Sequence, residues 1–477
     1  MVTSPRLKWL GLALLAAVQF MVVLDIAIVN VALPSIQTDL EFSQANLQWV
    51  ISAYALVFGG FLLLGGRTAD LLGRRRIFMV GLVMFTIGSL LCGLAWSEAS
   101  LIGARAIQGL GAATISPAAL AILMTTFAEG RERNIALGVW GAVGGFGAAA
   151  GVLLGGVLTD ALSWEWIFFV NIPVGLAALA LAPVLLKESR DTRVKSFDAL
   201  GAVLVTSGLT ALVLAITQGN EWGWSSGRTL GVFALSAALL VGFVVWENRV
   251  AEPLMRFGLL RTKTVLGANV AGFILGTALF SMFLMLTLYM QQVLGYSAMK
   301  TGVAYLAVAG TSIIWANVAA AMVTRVGVRP LIAGGMAVLT IGLLLFTQVS
   351  VDGSYVSDLL PGFLLVAFGL AFCFVPISIA ALAGVSQAEA GIASGLINTS
   401  QQIGGAVGIA LLSSIAINRT ENEIVSGVAQ PEALTSGFQI AFWVGAVIAA
   451  VGVVAALVLI RQEEIAPAGE AAPVPVA

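Results

Sequence analysis

The chain is poor in charge, has no histidine and contains two cysteines. Only 10% of its 477 residues are charged, against about 25% in an average soluble domain, which argues strongly against a water-soluble globule. The absence of histidine removes the usual proton shuttle and the commonest metal ligand. Cys92 and Cys373 lie alone in apolar runs, so we expect packed thiols and no disulfide or metal site. The net charge of −1 gives no reason to expect a nucleic-acid partner.

Apolar residues dominate instead, at 59% of the chain, with a mean hydropathy of +1.02. The 54 glycines suit helices that pack closely in a membrane. A membrane helix needs about 20 mainly apolar residues, and the sequence offers fourteen such runs. They lie near residues 10–33, 48–66, 77–96, 100–125, 135–160, 165–186, 199–217, 230–247, 265–291, 301–324, 330–350, 357–384, 394–416 and 437–460. The first run is too long for a cleaved signal peptide, so we predict that it is a retained spanning helix.

Basic residues divide unevenly between the two sets of loops. With the N-terminus in the cytoplasm, cytoplasmic segments hold 19 of the 23 Lys and Arg. The outer loops hold Arg228, Lys300 and Arg419, and Arg105 falls within a span. This bias follows the positive-inside rule. One missed helix would move every later loop to the other side of the membrane and remove this bias. The bias therefore predicts an even number of spans with both termini cytoplasmic.

Charged loops divide the runs into six, two and six. We predict an N-terminal six-helix bundle over 1–190, two additional spans over 191–263, a C-terminal six-helix bundle over 264–462 and a disordered cytoplasmic tail over 463–477. A faint repeat links the two sixes, since GRTADLLGRRRIFMVGL (66–82) and VTRVGVRPLIAGGM (323–336) each place Gly among basic residues after a second span. Repeated halves that enclose a site are a common transporter plan.

The stretch GRTADLLGRRR (66–76) predicts a tight turn between two helices. Glycine supplies the backbone freedom that such a turn needs, and Asp70 can accept hydrogen bonds from a helix N-terminus or from an arginine. A cluster that only obeys the positive-inside rule is the alternative. The residues of this predicted cytoplasmic gate are Gly66, Asp70, Gly73, Arg74 and Arg75.

The same stretch resembles the cytoplasmic loop signature of the major facilitator superfamily. Four others resemble signatures of its fourteen-span drug:proton antiporter branch: LDIAIVNVALP (24–34), LIGARAIQGLGAA (101–113), SWEWIFFVNIPVG (163–175) and GLINTSQQIGGAVGIA (395–410). They occur in the expected order across nearly the whole chain. The resemblance implies an all-α integral membrane protein, with two six-helix bundles plus two extra helices, that exports drugs in exchange for protons.

Three positions depart from the family pattern. Leu71 follows Asp70 where the family has Arg, Val152 replaces a Pro of the fifth-helix exporter signature, and Glu165 stands where the family has Arg. The weakened fifth-helix signature lessens the support for export. In the same helix, Gly at 141, 145, 151 and 155 predicts close approach of a neighbour, as a sliding contact or as static packing.

Asp25 is a carboxylate inside the first apolar run. Three roles compete: a structural acid paired with Arg, an interfacial residue that reaches water, or a titrating group that lines a cavity. We favour the third, because desolvation disfavours the charged form and an acid that exchanges a proton for a cationic substrate would support antiport. With one deep acid, we expect a small proton count and apolar, neutral or singly charged substrates.

Arg105, a few residues into the fourth span, costs at least about 2.5 kcal/mol at depth. It either snorkels to the nearer surface or, as the resemblance implies, faces the bundle interior near the proton site. Its partners there would be polar groups such as Gln108, or a nearby acid.

Aromatic and amide side chains are candidates for the substrate cavity. Aromatic rings can contact apolar and cationic molecules of many different structures. Amide side chains are costly in lipid, so we expect them to face the protein interior. Together with Asp25 and Gln108, the candidates are Tyr54, Trp140, Phe146, Phe273, Phe280, Tyr289, Asn398, Gln401 and Gln402.

The sequence therefore predicts a proton-coupled antiporter that exports amphipathic drugs, antiseptics, dyes or an antibiotic. A proton-coupled transporter of one dedicated metabolite, such as an amino acid or a siderophore, is the alternative. A membrane enzyme or receptor is disfavoured. The expected partners are a hydrophobic or monocationic small molecule and the lipid bilayer, with the proton as coupling ion and no cofactor. We expect a monomer in the cell (inner) membrane.

Overall fold

The computed structural model describes residues 5–128, 131–190, 198–255, 257–385 and 390–461, and every regular secondary-structure element within these ranges is a helix. The helices are α1 (Pro5–Asp39), α2 (Gln44–Leu47), α3 (Trp49–Leu72), α4 (Arg74–Gly93), α5 (Glu98–Thr126), α6 (Arg131–Ala161), α7 (Trp166–Phe169), α8 (Asn171–Leu185), α9 (Ala199–Trp222), α10 (Gly227–Glu247), α11 (Lys263–Leu288), α12 (Ala298–Val326), α13 (Val328–Phe346), α14 (Leu360–Ala380), α15 (Ala390–Val425) and α16 (Gln430–Leu459). A 3₁₀ turn covers Phe257–Arg261, and π turns cover Tyr289–Val293 and Tyr355–Leu359.

Fourteen helical segments of the described chain are long and apolar enough to cross a membrane. Two of them are built from two helices: α2 with α3, and α7 with α8. Two others include a π turn, which follows α11 in one and precedes α14 in the other. The predicted all-α membrane fold with fourteen spans is therefore confirmed.

Several spans extend beyond their apolar runs. The thirteenth run, predicted at 394–416, is the helix α15, which continues to Val425. An apolar count misses this extension because its residues are polar, although the Arg419–Glu423 ion pair at an i, i+4 spacing (2.5 Å) supports a helix there. The tail 463–477 lies outside the described residues.

The turn predicted in 66–76 is shorter than expected. Helix α3 continues through Gly66 and Asp70 to Leu72, and α4 starts at Arg74, so Gly73 alone links them, at φ 117°. In the second half of the chain, Gly327 alone links α12 and α13, at φ 86°. Both conformations are strained for a residue with a side chain, which explains the glycine in each copy of the repeat.

The polar loops of the first half meet at one end of the molecule. Lys8 of α1 pairs with Glu132 of α6, and Glu188, which follows α8, accepts hydrogen bonds at the start of α4. We call this end, which carries Arg67, Arg74, Arg75, Arg76 and Arg329, the basic face. The other end is the opposite face.

The first and last six spans touch at the opposite face. Gln291 Nε2 donates to the Val31 carbonyl (2.8 Å), and Gln292 Nε2 donates to Gln37 Oε1 (2.9 Å). The Met299 amide donates to Asp160 (2.9 Å). Apolar residues of α1, α3 and α11 join one core cluster there. These contacts join the two halves at the opposite face.

The additional pair, α9 and α10, pack on each other, and α9 also touches α3 and α15. Gln48 donates to Thr217 of α9 (3.1 Å), and Asn220 of α9 donates to the Ser414 carbonyl of α15 (2.8 Å). Helix α9 thus bridges helices from both sixes. The division at 190, 263 and 462 stays a prediction.

Glycines set the closest helix crossings. Gly151 and Gly155 of α6 lie against the α1 backbone at Leu24 and Ile28, where a Cβ would clash, whereas Gly141 has open space. The glycine-rich helix is therefore tightly packed over its second half. Val152, at the family's proline position, lies there with its carbonyl against Gly302 of α12.

The crossing of α11 and α15 predicts a test. Gly276 lies directly against the Gln401 carbonyl, a backbone atom that cannot move aside. We expect Gly276→Ala to lower the free energy of unfolding by about 1–3 kcal/mol through overpacking. Thermal unfolding in detergent measures this. Gly310→Ala is the matched control, because Gly310 is exposed with nothing within 4 Å, and an equal loss in both variants would contradict the packing argument.

Candidate functional site

Asp25 lies at the centre of a buried polar cluster. Its Oδ2 accepts a hydrogen bond from Arg105 Nη1 (2.7 Å), and its Oδ1 accepts from Gln108 Nε2 (2.7 Å) and Asn171 Nδ2 (2.9 Å). Three donors, one of them cationic, thus surround one carboxylate. Such charge-assisted hydrogen bonds are short and strong.

Arg105 is held on all sides. Its Nε donates to the Val50 carbonyl of α3 (2.9 Å), and its Nη1 also donates to Gln108 Oε1 (2.6 Å). The Tyr54 ring covers the guanidinium at 4.4 Å, and the Phe168 ring lies at 5.7 Å, which adds cation–π attraction. Arg105 faces the bundle interior and does not snorkel.

The cluster is closed to solvent in this conformation. The exposed fraction is 0% for Asp25 and 1% for Arg105. In this conformation Asp25 is therefore in a buried ion pair and, contrary to the favoured role, does not line an open cavity. Arg105 is seven residues from the start of α5, about 10 Å from the opposite face at ~1.5 Å per residue. Asp25 is 20 residues from the start of α1, about 30 Å from the basic face.

Three further side chains complete the cluster and were not predicted from the sequence. Ser89 Oγ accepts from Gln108 (2.8 Å) and from Asn171 (3.4 Å), and Cys92 Sγ donates to Gln108 Oε1 (3.6 Å). Asn171 is the first residue of α8, and the break between α7 and α8 brings it to Asp25. Asn171 is a polar amide within the stretch 163–175, but the sequence does not indicate which residue it contacts. Cys92 and Cys373 are both free and buried, as predicted.

The predicted gate residues lie together at the basic face. Arg74 Nε donates to Asp70 Oδ1 (2.8 Å), and its Nη2 lies 2.7 Å from the same oxygen. Arg75 Nη1 donates to the Leu186 carbonyl (3.1 Å), at the end of the sixth span. These contacts join helices of the first six spans, so here the pair of Asp70 and Arg74 does not bridge the two halves.

Sequence analysis also missed Glu188, which caps α4. The Arg75 amide donates to its Oε1 (3.1 Å) and the Arg76 amide to its Oε2 (3.2 Å). A carboxylate on free amides at a helix N-terminus is stabilising. Gly73 allows this approach, because a Cβ there would lie 2.8 Å from Glu188 Oε1.

The other cavity candidates separate into three groups. Tyr54 is buried beside Arg105. Trp140, Phe273, Phe280, Gln401 and Gln402 are half-buried, and Gln402 Oε1 has no hydrogen-bond partner. Phe146 and Asn398 are exposed.

Tyr289, a candidate for the substrate cavity, lies in the protein core instead. Its ring is fully buried, and its hydroxyl donates to the Ser350 carbonyl (2.6 Å). It belongs to the core near the opposite face, where a π turn follows α11, and it lines no open space.

The acidic residues of the last six spans avoid the membrane interior. In the part of the chain that the structure describes, they are Asp352, Asp358, Glu421, Glu423 and Glu432, which lie at or near the helix ends of the opposite face. The Asp25 cluster is therefore the deep acidic site of the described residues.

Comparison with protein families agrees with this architecture. The model of the Major Facilitator Superfamily matches residues 15–409. The chain belongs to the major facilitator superfamily. It is a transporter and not an enzyme.

Two of the relatives are named for an antibiotic. The chain is 41% identical to the puromycin resistance protein pur8 of Streptomyces alboniger, over 91% of this chain and 86% of that protein. It is 41% identical to the cephamycin export protein CmcT of Amycolatopsis lactamdurans, over 85% and 84% of the two chains. The MFS-type transporter EfpA of Mycobacterium tuberculosis is 38% identical, over 85% and 76%.

Solved structures share the fold. A bacterial homologue of the human lysosomal transporter Spinster superposes with a TM-score of 0.67 at 15% identity, over 96% of this chain and 98% of that chain. A peptide transporter of the POT type superposes with a TM-score of 0.68 at 15% identity, over 95% of each chain. At this identity the likeness concerns the fold alone.

The buried ion pair predicts a non-additive pair of substitutions. We expect Arg105→Met to lower the free energy of unfolding by about 3–5 kcal/mol, because it leaves the Asp25 charge buried without its cation. Adding Asp25→Asn removes that charge, so the double variant should be more stable than Arg105→Met alone. A double-mutant cycle of melting curves in detergent measures the coupling. Strictly additive losses would mean that the two side chains do not depend on each other.

The α4 cap predicts a smaller loss. We expect Glu188→Ala to lower the free energy of unfolding by about 1 kcal/mol, because two amides lose their acceptor. Glu132→Ala is the matched control, since this half-exposed glutamate pairs with Lys8 at the surface, where ion pairs contribute little. Equal melting temperatures for the two variants would rule out a special role for the cap.

Proposed function

We propose that the chain exports small amphipathic drugs or an antibiotic from the cytoplasm in exchange for protons, and that Asp25 binds the proton. The observation that carries this proposal is the buried ion pair of Asp25 and Arg105. Relatives named for puromycin resistance and cephamycin export support the cargo class.

Protonation of Asp25 would rebuild the whole cluster. An ionised carboxylate accepts hydrogen bonds from all three donors. A protonated carboxyl group loses the Coulomb attraction of Arg105, and its own O–H group needs a hydrogen-bond acceptor. Arg105 would then turn to its remaining acceptors, the Val50 carbonyl and Gln108 Oε1. One proton thus changes the contacts between α1, α3 and α5, which gives the transporter two arrangements to exchange.

Buried hydroxyl groups lead from the cluster toward the basic face. The Tyr54 and Thr86 hydroxyls are buried without a hydrogen-bond partner. Tyr54 is one helical turn from Val50 along α3, and Thr86 is about one turn from Ser89 along α4, both on the basic-face side. Buried polar groups without protein partners are normally satisfied by water, so these positions support a proton route to that face.

Aromatic side chains lie on the same side of the cluster. Phe20 of α1 stacks on Phe146 of α6 at 5.8 Å, and Phe146 is 63% exposed. Phe20 precedes Asp25 by five residues, about 8 Å toward the basic face. Together with Trp140 they would offer apolar and cationic molecules a tolerant surface, next to the acid that takes the proton. Asn398, Gln401, Gln402 and Phe273 would contribute from the other half.

The basic face would be cytoplasmic by the positive-inside rule, with both termini inside and the protein monomeric in the cell membrane. The contacts between the two halves at the opposite face would then hold the transporter in an inward-directed conformation, from which cargo enters. Asp70 with Arg74 would hold the cytoplasmic ends together when the cycle reverses. A hydrophobic or monocationic cargo fits the lack of a second deep acid among the described residues.

The alternative cargo is a single metabolite, and breadth of transport separates the two. The exposed Phe146 ring favours broad selection, because an aromatic face has no directional hydrogen bonds. Inverted membrane vesicles with an imposed pH gradient can be tested with puromycin, a cephamycin and a monocationic dye. Mutual competition between these unrelated compounds would support a drug exporter, and transport of one compound without competition would contradict it.

Asp25→Asn tests the mechanism in the same vesicles. We expect it to abolish efflux driven by the pH gradient, because the amide cannot exchange a proton, while substrate counterflow without a gradient continues. Asp352→Asn is the matched control at an exposed position and should transport as the wild type does. Gradient-driven efflux that survives in a well-folded Asp25→Asn protein would leave Asp25 a purely structural role.

A further inference from the structure

A second pair of ionisable groups lies apart from the Asp25 cluster, in the additional helices. Asp198 precedes α9 and Glu247 ends α10, and each side chain is 4% exposed. Both residues lie at the basic-face ends of their helices, where α9 and α10 come together.

Two of the four carboxylate oxygens in this pair have donors. Asp198 Oδ1 accepts from the Gly201 amide (2.8 Å), as an N-cap, and from Trp246 Nε1 (2.8 Å). Glu247 Oε2 accepts from the Met255 amide (3.1 Å). The other two oxygens, Asp198 Oδ2 and Glu247 Oε1, are buried and receive no hydrogen bond from an N–H group or hydroxyl.

These two oxygens share one space. A Cβ on Gly201 would clash with both Asp198 Oδ2 and Glu247 Oε1, so the glycine makes room for them. Both oxygens thus lie within 3.0 Å of that one Cβ position, and Asp198 acts electrostatically on Glu247 across this space. Arg67 of α3 donates to Glu252 (2.9 Å) and to the Pro253 carbonyl (3.0 Å).

We propose that Asp198 and Glu247 form a proton-binding site that holds one proton between two buried carboxyl groups. Two ionised carboxylates would repel each other in this poorly hydrated space. A hydrogen on Glu247 Oε1 that is donated to Asp198 Oδ2 removes one charge and satisfies both orphan oxygens. Asp198 keeps the negative charge, since it caps α9, where the helix dipole favours an anion.

The proton joins three elements at the basic face. It ties the start of α9 to the end of α10, and Glu247 also holds the Met255 amide. The segment 248–255 between them contacts α3 through Glu252 and Arg67. The proton site thus fastens the additional pair to the first six spans. This inference is independent of the proposed cargo and of Asp25.

Infrared difference spectroscopy of the purified full-length protein at neutral pH tests the site. We expect wild type to show the C=O stretch of a protonated carboxylic acid that shifts in deuterium oxide. Asp198→Asn and Glu247→Gln should each lose that band, because a single remaining carboxylate no longer needs the proton. Both variants should stay folded, since an amide can donate the missing hydrogen bond and Asn is a good N-cap.

Two controls make the outcome specific. Glu252→Gln, a partly exposed glutamate paired with Arg67, should leave the band unchanged, as should Asp25→Asn. Loss of the band in Asp198→Asn and Glu247→Gln, but not in these controls, supports the site. A spectrum identical to wild type in both pair variants would overturn it, as would loss of the band in the Asp25→Asn control alone. Because the readout needs no transport, failure of the proposed export would leave the result unaffected.

Discussion

The structure depends on one buried charge being matched. A carboxylate deep among apolar helices costs several kcal/mol unless a cation and good donors surround it. Asp25 has Arg105, Gln108 and Asn171 as direct partners, and these come from α5 and from the start of α8. The packing of the first six spans is therefore set around that requirement.

Close backbone contact is the second constraint. Apolar helices gain no hydrophobic advantage from one another in lipid, so van der Waals contact and hydrogen bonds hold them together. Glycines allow this in both halves, at Gly151 and Gly155 in α6 and at Gly276 in α11. Such crossings leave little freedom for gradual deformation. The single-glycine links at Gly73 and Gly327 lie at the ends of these closely packed spans.

The acids of the described chain serve different tasks according to what surrounds them. Asp25 is matched by a cation, whereas Asp198 and Glu247 face each other. Glu188 supports the turn at the basic face by capping free amides. The same type of group thus acts as ion-pair partner, candidate proton holder and helix cap. Composition counts all of them alike, and their surroundings distinguish them.

The sequence by itself determined the membrane class, the fourteen spans and the family, and it singled out Asp25, Arg105 and Gln108, which the structure brings into contact. These follow from local properties, because hydropathy, charge and motif spacing are written along the chain. Tertiary structure alone decided that Ser89, Cys92 and Asn171 complete the cluster, that Tyr289 is core, and that Asp198 meets Glu247 across 49 positions of chain. Contacts between distant residues depend on how helices cross, and no local pattern encodes the partner of a lone polar side chain.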